Sequence, residues 1–364
     1  MNSGTYFLES TLETGGRKAL EIGEVREISS ARLRTENGNL YFRREVRVGD
    51  ESDNQPHTLE IYRRIGDQFE RELHTHTEWP ATYIKDDVVN ISPENKAATW
   101  LYYDEAGNPT DMIDWASHFP TAIALYPLQR PDDGGRIFGA DRVLSPRTHE
   151  LFTFMNDGIG LRSRARIYTE AIEKIAEKVD SDINIVSLGS GAAVPNIDAS
   201  QRIENKLDKA INWKFYDTDP NALKFAMALV KDSRLKKSSF DYGPAHDGQP
   251  IGQNYMRATT LTPESVDVVD ALGLWEYLDD NQAKKFAEKM YRLVKPGGVM
   301  IISNMLPSRP QLEFNQRAVG WPGLSIRSDE TLIDILASAS IDTSNVTATH
   351  SVDGVYVVLE IRKP

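Results

Sequence analysis

No cysteine occurs among the 364 residues. Disulfides, thiolate zinc sites and cysteine nucleophiles are therefore excluded. No apolar run approaches the roughly 20 residues needed to span a bilayer, and no membrane partner is expected. Positive charge is in deficit: 42 Lys and Arg stand against 54 Asp and Glu, a net charge of -12. An acidic surface repels phosphate backbones, which argues against a nucleic-acid partner. Met1-Asn-Ser-Gly-Thr-Tyr6 has no basic region leading into an apolar stretch, so the expectation is a cytoplasmic protein. Repeats, low-complexity tracts and a Ser-His-Asp pattern are missing as well. His74-Thr-His76 would share one face of a strand, yet no third ligand accompanies the pair, and no metal is expected. What remains is a globular protein acting on a small molecule, with a homo-oligomer left open.

The chain reads as two domains, 1–145 and 146–364. The first is a β-rich accessory domain, a cap over a substrate site or an oligomer interface. Ala31 to Phe42 has the pattern of a hairpin with Asn37-Gly38 at its turn. Leu59–Ile65 and Thr99–Tyr103 are further strand candidates. Trp79, Tyr83, Trp100, Tyr102 and Tyr103 are better explained as core than as a substrate lining.

From residue 146 the pattern alternates. Ile167 to Val179 carries apolar residues at helical spacing. Then come a strand at 183–188, a helix at 200–211, a strand at 214–216, a helix at 221–230, a strand at 266–272 and a helix at 280–293. A Lys295-Pro-Gly-Gly298 turn leads into a strand at 299–303. A helix at 330–338 precedes two closing strands, 346–350 and 355–361. Alternation of this kind predicts a parallel sheet covered by helices on both faces. Ser351-Val-Asp-Gly354 is too short for a crossover, so the last two strands should pair antiparallel.

The most informative stretch is Ile185-Val-Ser-Leu-Gly-Ser-Gly191, an apolar run breaking into a glycine turn. Glycines let backbone approach a ligand without a Cβ clash. Downstream, Trp213-Lys-Phe-Tyr-Asp217 ends in a carboxylate able to accept from both ribose hydroxyls. The pair suits a nucleoside-bearing cofactor. A nicotinamide-binding turn would continue to a third glycine, whereas this one runs Gly189-Ser-Gly-Ala-Ala-Val194; a P-loop would need Gly-Lys-Ser/Thr, which does not occur. The remaining α/β reading is an S-adenosylmethionine (SAM) site, which needs neither because its ligand has no pyrophosphate. Asp217 follows Gly191 by 26 residues, and Leu272-Gly273-Leu274 ends the fourth strand where backbone could face the cofactor.

With these features, residues 160–364 resemble the class I SAM-dependent methyltransferases. Gly160-Leu-Arg-Ser-Arg164, Gly273-Leu-Trp-Glu-Tyr-Leu278 and Gly320-Trp-Pro-Gly-Leu-Ser-Ile-Arg-Ser328 are similar to the bacterial methyltransferases of 3-hydroxypalmitate methyl ester (extracellular factor) biosynthesis. The resemblance implies a Rossmann-like seven-stranded sheet with an antiparallel last strand, and SAM as cofactor. By that likeness Gly189 and Gly191, with Leu188 and Ser190, would contact the methionine half. Asp217 and Thr218 would hold the ribose, and Leu272, Gly273 and Leu274 would flank the methyl-transfer pocket. Many relatives carry an acid after strand three for the adenine amine. Tyr255-Met-Arg-Ala-Thr-Thr260, taken as that place, has none, so backbone near Arg257 and Ala258 is the expected substitute.

Other side chains have a functional and a structural reading. Arg162 and Arg164, placed just before the domain's first helix, could clamp a carboxylate of cofactor or substrate, or form structural ion pairs. Arg164 is taken as cofactor-binding. Arg317 and Arg327 follow strand five and could bind an acidic substrate; surface or inter-domain ion pairs are the alternative. Glu276 and Tyr277 are the catalytic candidates, one to position or deprotonate an acceptor hydroxyl; otherwise Tyr277 packs on the cofactor and Glu276 caps a helix. Lys231, Arg234, Lys236 and Lys237 read as a solvated helix end. The expected reaction is methyl transfer to a small carboxylate or hydroxyl acceptor. Aminopropyl transfer from SAM and non-catalytic SAM binding are the alternatives.

Overall fold

The structure is a computed structural model. It describes residues 94–364 except 120, 140, 310–314, 322 and 323, together with Ile91 and, by backbone alone, the strands before it; at 316 and 317 only backbone is described. The chain forms two compact units. One comprises Met1–Pro120, Arg130–Ile159 and Arg309–Gly323; the other comprises Thr121–Gln129, Gly160–Ser308 and Leu324–Pro364. The chain therefore passes between units several times, in place of one boundary after residue 145.

The first unit holds an antiparallel sheet of β1 (Phe7–Glu9), β2 (Val25–Arg34), β3 (Leu40–Arg47), β4 (His57–Ile65) and β5 (Gln68–Thr77), in sequence order. The expected hairpin appears as β2 against β3, with Arg32 opposite Tyr41; its turn residues Asn37 and Gly38 lie outside the described residues, as do Trp79 and the side chains of His74, His76 and Tyr83. A small pair follows, β6 (Thr82–Lys85) with β7 (Val88–Ile91).

The strand expected at Thr99–Tyr103 is instead the end of a helix, α1 (Lys96–Tyr102). Asn95 caps it by accepting from the Ala98 N–H, and Ala97, Ala98, Leu101 and Tyr102 are buried. That is a helical spacing, which an aromatic-rich run of five residues conceals. Tyr102 is core, as expected, and its hydroxyl donates to the Val319 carbonyl at 2.6 Å. Past α2 (Asp111–Ala116), Trp115 packs edge-on against Phe119 and Phe152.

The second unit carries the alternating pattern. Its strands are β8 (Ile183–Leu188), β9 (Ile211–Tyr216), β10 (Ser239–Asp241), the short hairpin β11 (Ala245–His246) and β12 (Gln249–Pro250), β13 (Val266–Ala271), β14 (Val294–Met305), β15 (Val346–His350) and β16 (Tyr356–Arg362). Seven of them form one sheet in the order β10-β9-β8-β13-β14-β16-β15. The pairs from β10 to β14 are parallel, and β16 runs antiparallel to both neighbours. β8, β13 and the second half of β14 are rich in Ile and Val because both faces are covered, with polar residues such as Ser187 and Asp270 among them. One face packs Val186, Val269 and Ile302 with Phe286 and Met290 of a helix at Asp280–Tyr291 and Leu332 and Leu336 of one at Asp329–Ser338. The other packs Ile185, Val268 and Ile301 under the helices that include Ile172, Ile203 and Leu223.

Several boundaries differ from expectation. The helix expected at 200–211 is Val194–Leu207, so β9 begins at Ile211. Lys295-Pro-Gly-Gly298 is not a turn before a strand but a bulged part of β14, with the register against β13 shifting between Val266 and Val268. Arg162 and Arg164 do not precede a helix; they lie inside one spanning Asn156–Ala176. That helix presses on the start of β16 at Gly160, where an added Cβ would stand 2.7 Å from Val355 Cβ and Cγ1. Gly160→Ala gains roughly 1 kcal/mol of helix propensity, but overpacking costs typically 1–3 kcal/mol. Net destabilisation is expected in urea unfolding. A Gly160→Ala protein as stable as its parent would refute that packing argument.

Candidate functional site

The strand order reverses at β8: the chain moves outward to β9 and β10 on one side and to β13 and β14 on the other. Ligands of open α/β sheets bind at such a switch point, beyond the carboxyl ends of the strands. The sequence-predicted residues meet there. Gly189 and Gly191 both adopt left-handed backbone, with φ of 65° and 55°, and Ala193 follows with φ of 55° before the helix Val194–Leu207 begins. Three left-handed residues at alternate positions fold the turn tightly, which a Cβ at the first two would oppose. The Gly189 N–H donates to the Tyr216 carbonyl at 2.7 Å, tying the turn to the tip of β9.

Asp217 follows that tip and is buried. Its Oδ2 accepts from the Gly191 N–H at 2.7 Å and its Oδ1 from the Asp219 N–H at 2.9 Å. Each carboxylate oxygen retains a second lone pair. Burial raises its pKa, against backbone hydrogen bonds from Asp219 and Gly191 that lower it. Thr218, expected beside it, is exposed. Asp219 caps the helix Pro220–Ser233 through the Asn221 N–H.

Leu272, Gly273 and Leu274 lie next to the glycine turn, since a Cβ on Gly189 would sit 3.4 Å from Leu274 Cβ. Arg164 is buried beneath them. Its Nη1 donates to the Leu272 carbonyl at 3.0 Å, its guanidinium stacks 4.6 Å from the Tyr356 ring centre, and its Nη2 is 3.9 Å from where a Gly273 Cβ would be. The Leu272 carbonyl also accepts from Ser303 Oγ. Leu272 thus anchors the site through its backbone, a role its apolar side chain does not advertise. Arg162 is directed elsewhere, to the Leu128 carbonyl at 2.6 Å.

The remaining candidates are placed differently. Arg327 is buried and its guanidinium is committed: Nε to Asp280 at 2.9 Å, Nη1 to the Trp275 carbonyl at 3.0 Å, and Nη2 to the Leu278 carbonyl. It binds the loop after β13 to the protein instead of presenting a charge to a substrate. Arg317 falls in a short helical turn, Asn315–Val319, and its side chain lies outside the described residues. Glu276 and Tyr277 share a 3-10 turn; Glu276 is buried while Tyr277 is 51% exposed. The Glu276 carbonyl accepts from the Ser325 N–H at 2.7 Å. Lys236 and Lys237 give their backbone N–H groups to Glu204, consistent with a structural helix end.

Three features escaped the sequence. Strand three is β10, which ends in Asp241, so an acid does occupy that strand end. Asp241 faces Lys214 at 3.5 Å and accepts from the Gly243 N–H. The Tyr255–Thr260 stretch, taken as the place of the acid after strand three, is a 3-10 turn capped by Asn254. Second, the Gly252-Gln253 stretch closes on β9: the Gln253 N–H donates to the Asp217 carbonyl at 2.6 Å, and a Cβ on Gly252 would lie 2.8 Å from the Thr218 carbonyl oxygen. Third, Thr121–Gln129 packs on this unit, with Tyr126 edge-on to Phe225 and Ala122 Cβ 2.9 Å from a Cβ built on Gly191. A glycine in the Gly252 neighbourhood was a readable signal; the Ala122 contact had none.

The arrangement fits a SAM-sized polar ligand on two observations. Ser190 Oγ and Arg164 Nε are buried at the site and bond to no described protein atom, and such groups are costly unless a ligand or water satisfies them. The left-handed glycines supply a cradle that side chains would fill.

No family model matches the chain, and no curated protein matches it. Among solved structures it is similar to a possible exported protein from Bordetella parapertussis at 14% identity and a TM-score of 0.52, covering 70% of this chain and 86% of that one. A magnesium protoporphyrin IX methyltransferase from Synechocystis with bound SAH is 12% identical, with a TM-score of 0.42 over 66% of this chain and 98% of that one. An O-methyltransferase family protein from Burkholderia thailandensis is 13% identical, with a TM-score of 0.41 over 78% and 80%. At such identities the likeness is one of fold. Strand order and the antiparallel β16 give the second unit the Rossmann-like methyltransferase fold.

Proposed function

We propose that the second unit binds SAM and that the protein transfers its methyl group to a small-molecule acceptor. The observation that carries this reading is the buried Asp217 carboxylate, held by the Gly191 amide at the switch point with a lone pair left on each oxygen. Asp217 would receive the ribose hydroxyls. The Gly189–Gly191 turn and Ser190 would border the methionine half, and Arg164 would meet its carboxylate. SAM, when bound, supplies an activated methyl group on a sulfonium.

The protein's own task is then alignment and exclusion of water. Leu272, Gly273 and Leu274 define the wall where an acceptor would approach. A carboxylate acceptor requires no base, whereas a hydroxyl acceptor does. Tyr277, exposed beyond Gly273, is better placed than buried Glu276 to touch an acceptor. The likeness to the 3-hydroxypalmitate methyl ester enzymes favours a carboxylate.

Incubation of the full chain with SAM and candidate acids, followed by mass spectrometry, tests the reading. S-adenosylhomocysteine (SAH) together with a methylated acid is expected. Methylthioadenosine would mean aminopropyl transfer, and binding without turnover against acids and alcohols would mean a non-catalytic protein. Either result overturns methyl transfer.

A further inference from the structure

A buried polar ring lies under the glycine turn, on the sheet face covered by the helices Asn156–Ala176 and Val194–Leu207. At its centre is Asp270 of β13, 2% exposed. Tyr168 Oη donates to Asp270 Oδ2 and Ser187 Oγ donates to Oδ1, both at 2.7 Å. Asn196 Nδ2 donates to both hydroxyls, at 3.3 Å to Ser187 and 3.5 Å to Tyr168. The ring thus has one direction: amide to two hydroxyls, hydroxyls to one carboxylate. It unites four elements, and its members Ser187 and Asn196 bracket the glycine turn, one just before Leu188 and one in the first turn of the helix after it.

We infer that the Tyr168–Ser187–Asn196–Asp270 ring is a positioning device that holds the two ends of the cofactor turn in register. None of the four residues is assigned to the cofactor. They act through the backbone that Gly189, Ser190 and Gly191 present. The inference rests on the SAM reading above.

The direction of the ring depends on Asp270 being an anion, because a protonated carboxyl would donate and force one hydroxyl to turn away. Burial raises the Asp270 pKa to about 7, against the lowering hydrogen bonds from Tyr168 and Ser187. The groups that face it are few. Tyr168 is the titratable side chain that its helix bonds to Asp270; Arg164, one turn earlier, is directed to the Leu272 carbonyl. Ser187 and Asn196 are neutral, and the neighbouring residue on β14 is Ile301. Glu173 pairs with Arg202 and Lys206 further along the same helix seam.

The sign follows from the raised value. The folded protein holds the proton up to about pH 7, while an unfolded chain releases it near pH 3.9. Stability therefore falls as pH rises across that window, whereas the ring is completed only above it. Stability and cofactor affinity should move in opposite directions.

The test is SAH titration by calorimetry on the full chain from about pH 6 to about pH 8, with hydrogen exchange of the ligand-free turn amides corrected for intrinsic rates. In the parent, affinity should rise about fivefold, the equivalent of one net hydrogen bond, and the 189–193 amides should gain protection with a midpoint near 7. Asp270→Asn should flatten both profiles, leaving only the part owed to Asp217. Tyr168→Phe, which removes a donor that lowers the Asp270 pKa, should move the midpoint upward. If Asp270→Asn or Tyr168→Phe retains the parent profile, or the parent is flat, the ring does not position the turn. Failure of the parent to bind SAH at any pH would refute the SAM site itself, and the exchange data would still judge the ring.

Discussion

Replacing Asp217 with alanine is expected to weaken SAH binding by on the order of 10²–10⁴-fold, the loss of two hydrogen bonds to a charged acceptor at roughly 1.5–3 kcal/mol each. The change strikes the site twice. It removes the acceptor for the ribose, and it leaves the Gly191 and Asp219 N–H groups without the carboxylate that now fixes them. Asp217→Asn separates these effects, since its amide oxygen can still accept from one N–H; an intermediate loss is expected. Acid should mimic the alanine variant. Burial raises the Asp217 pKa, so affinity should fade as pH drops through that raised value, earlier than for a free aspartate. An Asp217→Ala protein that is folded and binds SAH like the parent would remove the central residue from the account.

Arg327→Leu should destabilise the second unit by roughly 1–3 kcal/mol, the cost of a buried carbonyl losing its donor: the Leu278 carbonyl loses the guanidinium, while the Trp275 carbonyl keeps the Leu278 N–H at 3.2 Å. The guanidinium is the partner of the Trp275 and Leu278 carbonyls and of Asp280, and the leucine can serve none of them. These bonds fix the loop that continues from Leu272 and Gly273. Urea unfolding of the second unit should shift to lower concentration, with SAH affinity falling as a consequence of the loosened loop. Arg327→Lys should recover part of the stability through a single donor group. The substrate-binding role expected from sequence makes the opposite prediction: parental stability and SAH affinity, with only the acceptor's KM raised.

The features legible in the sequence were those with a local physical cause. The β8 and β13 runs are rich in Ile and Val because both faces of each strand are covered, with Ser187 and Asp270 as the polar exceptions, and the glycine turn is visible because left-handed backbone selects glycine. Asp217 was found because a carboxylate at a strand end stands out from its apolar neighbours. The antiparallel closing pair followed from a connection too short to cross the sheet. What stayed hidden depended on tertiary context. Thr99–Tyr103 reads as extended because its aromatic residues dominate a short window, and the helix Lys96–Tyr102 requires Asn95 to be recognised as a cap. The three-residue β10 is too short to have a period, so the acid after strand three is sought at Tyr255–Thr260 and Asp241 goes unread. Arg327 was chosen for its charge, yet burial among carbonyls determines what that charge does. The Asp270 ring joins residues far apart in the chain, and one of its members, Asn196, lies in a helical turn ahead of the helix expected at 200–211.

The measurement that tests the central claim most directly is calorimetric titration of SAH into the full chain and its Asp217→Ala variant. The account predicts one site in the micromolar range for the parent, a substrate-scale affinity of about 1 μM to 1 mM, and binding weakened by on the order of 10²-fold or more for the folded variant. No binding by the parent, or equal binding by both proteins, would contradict it.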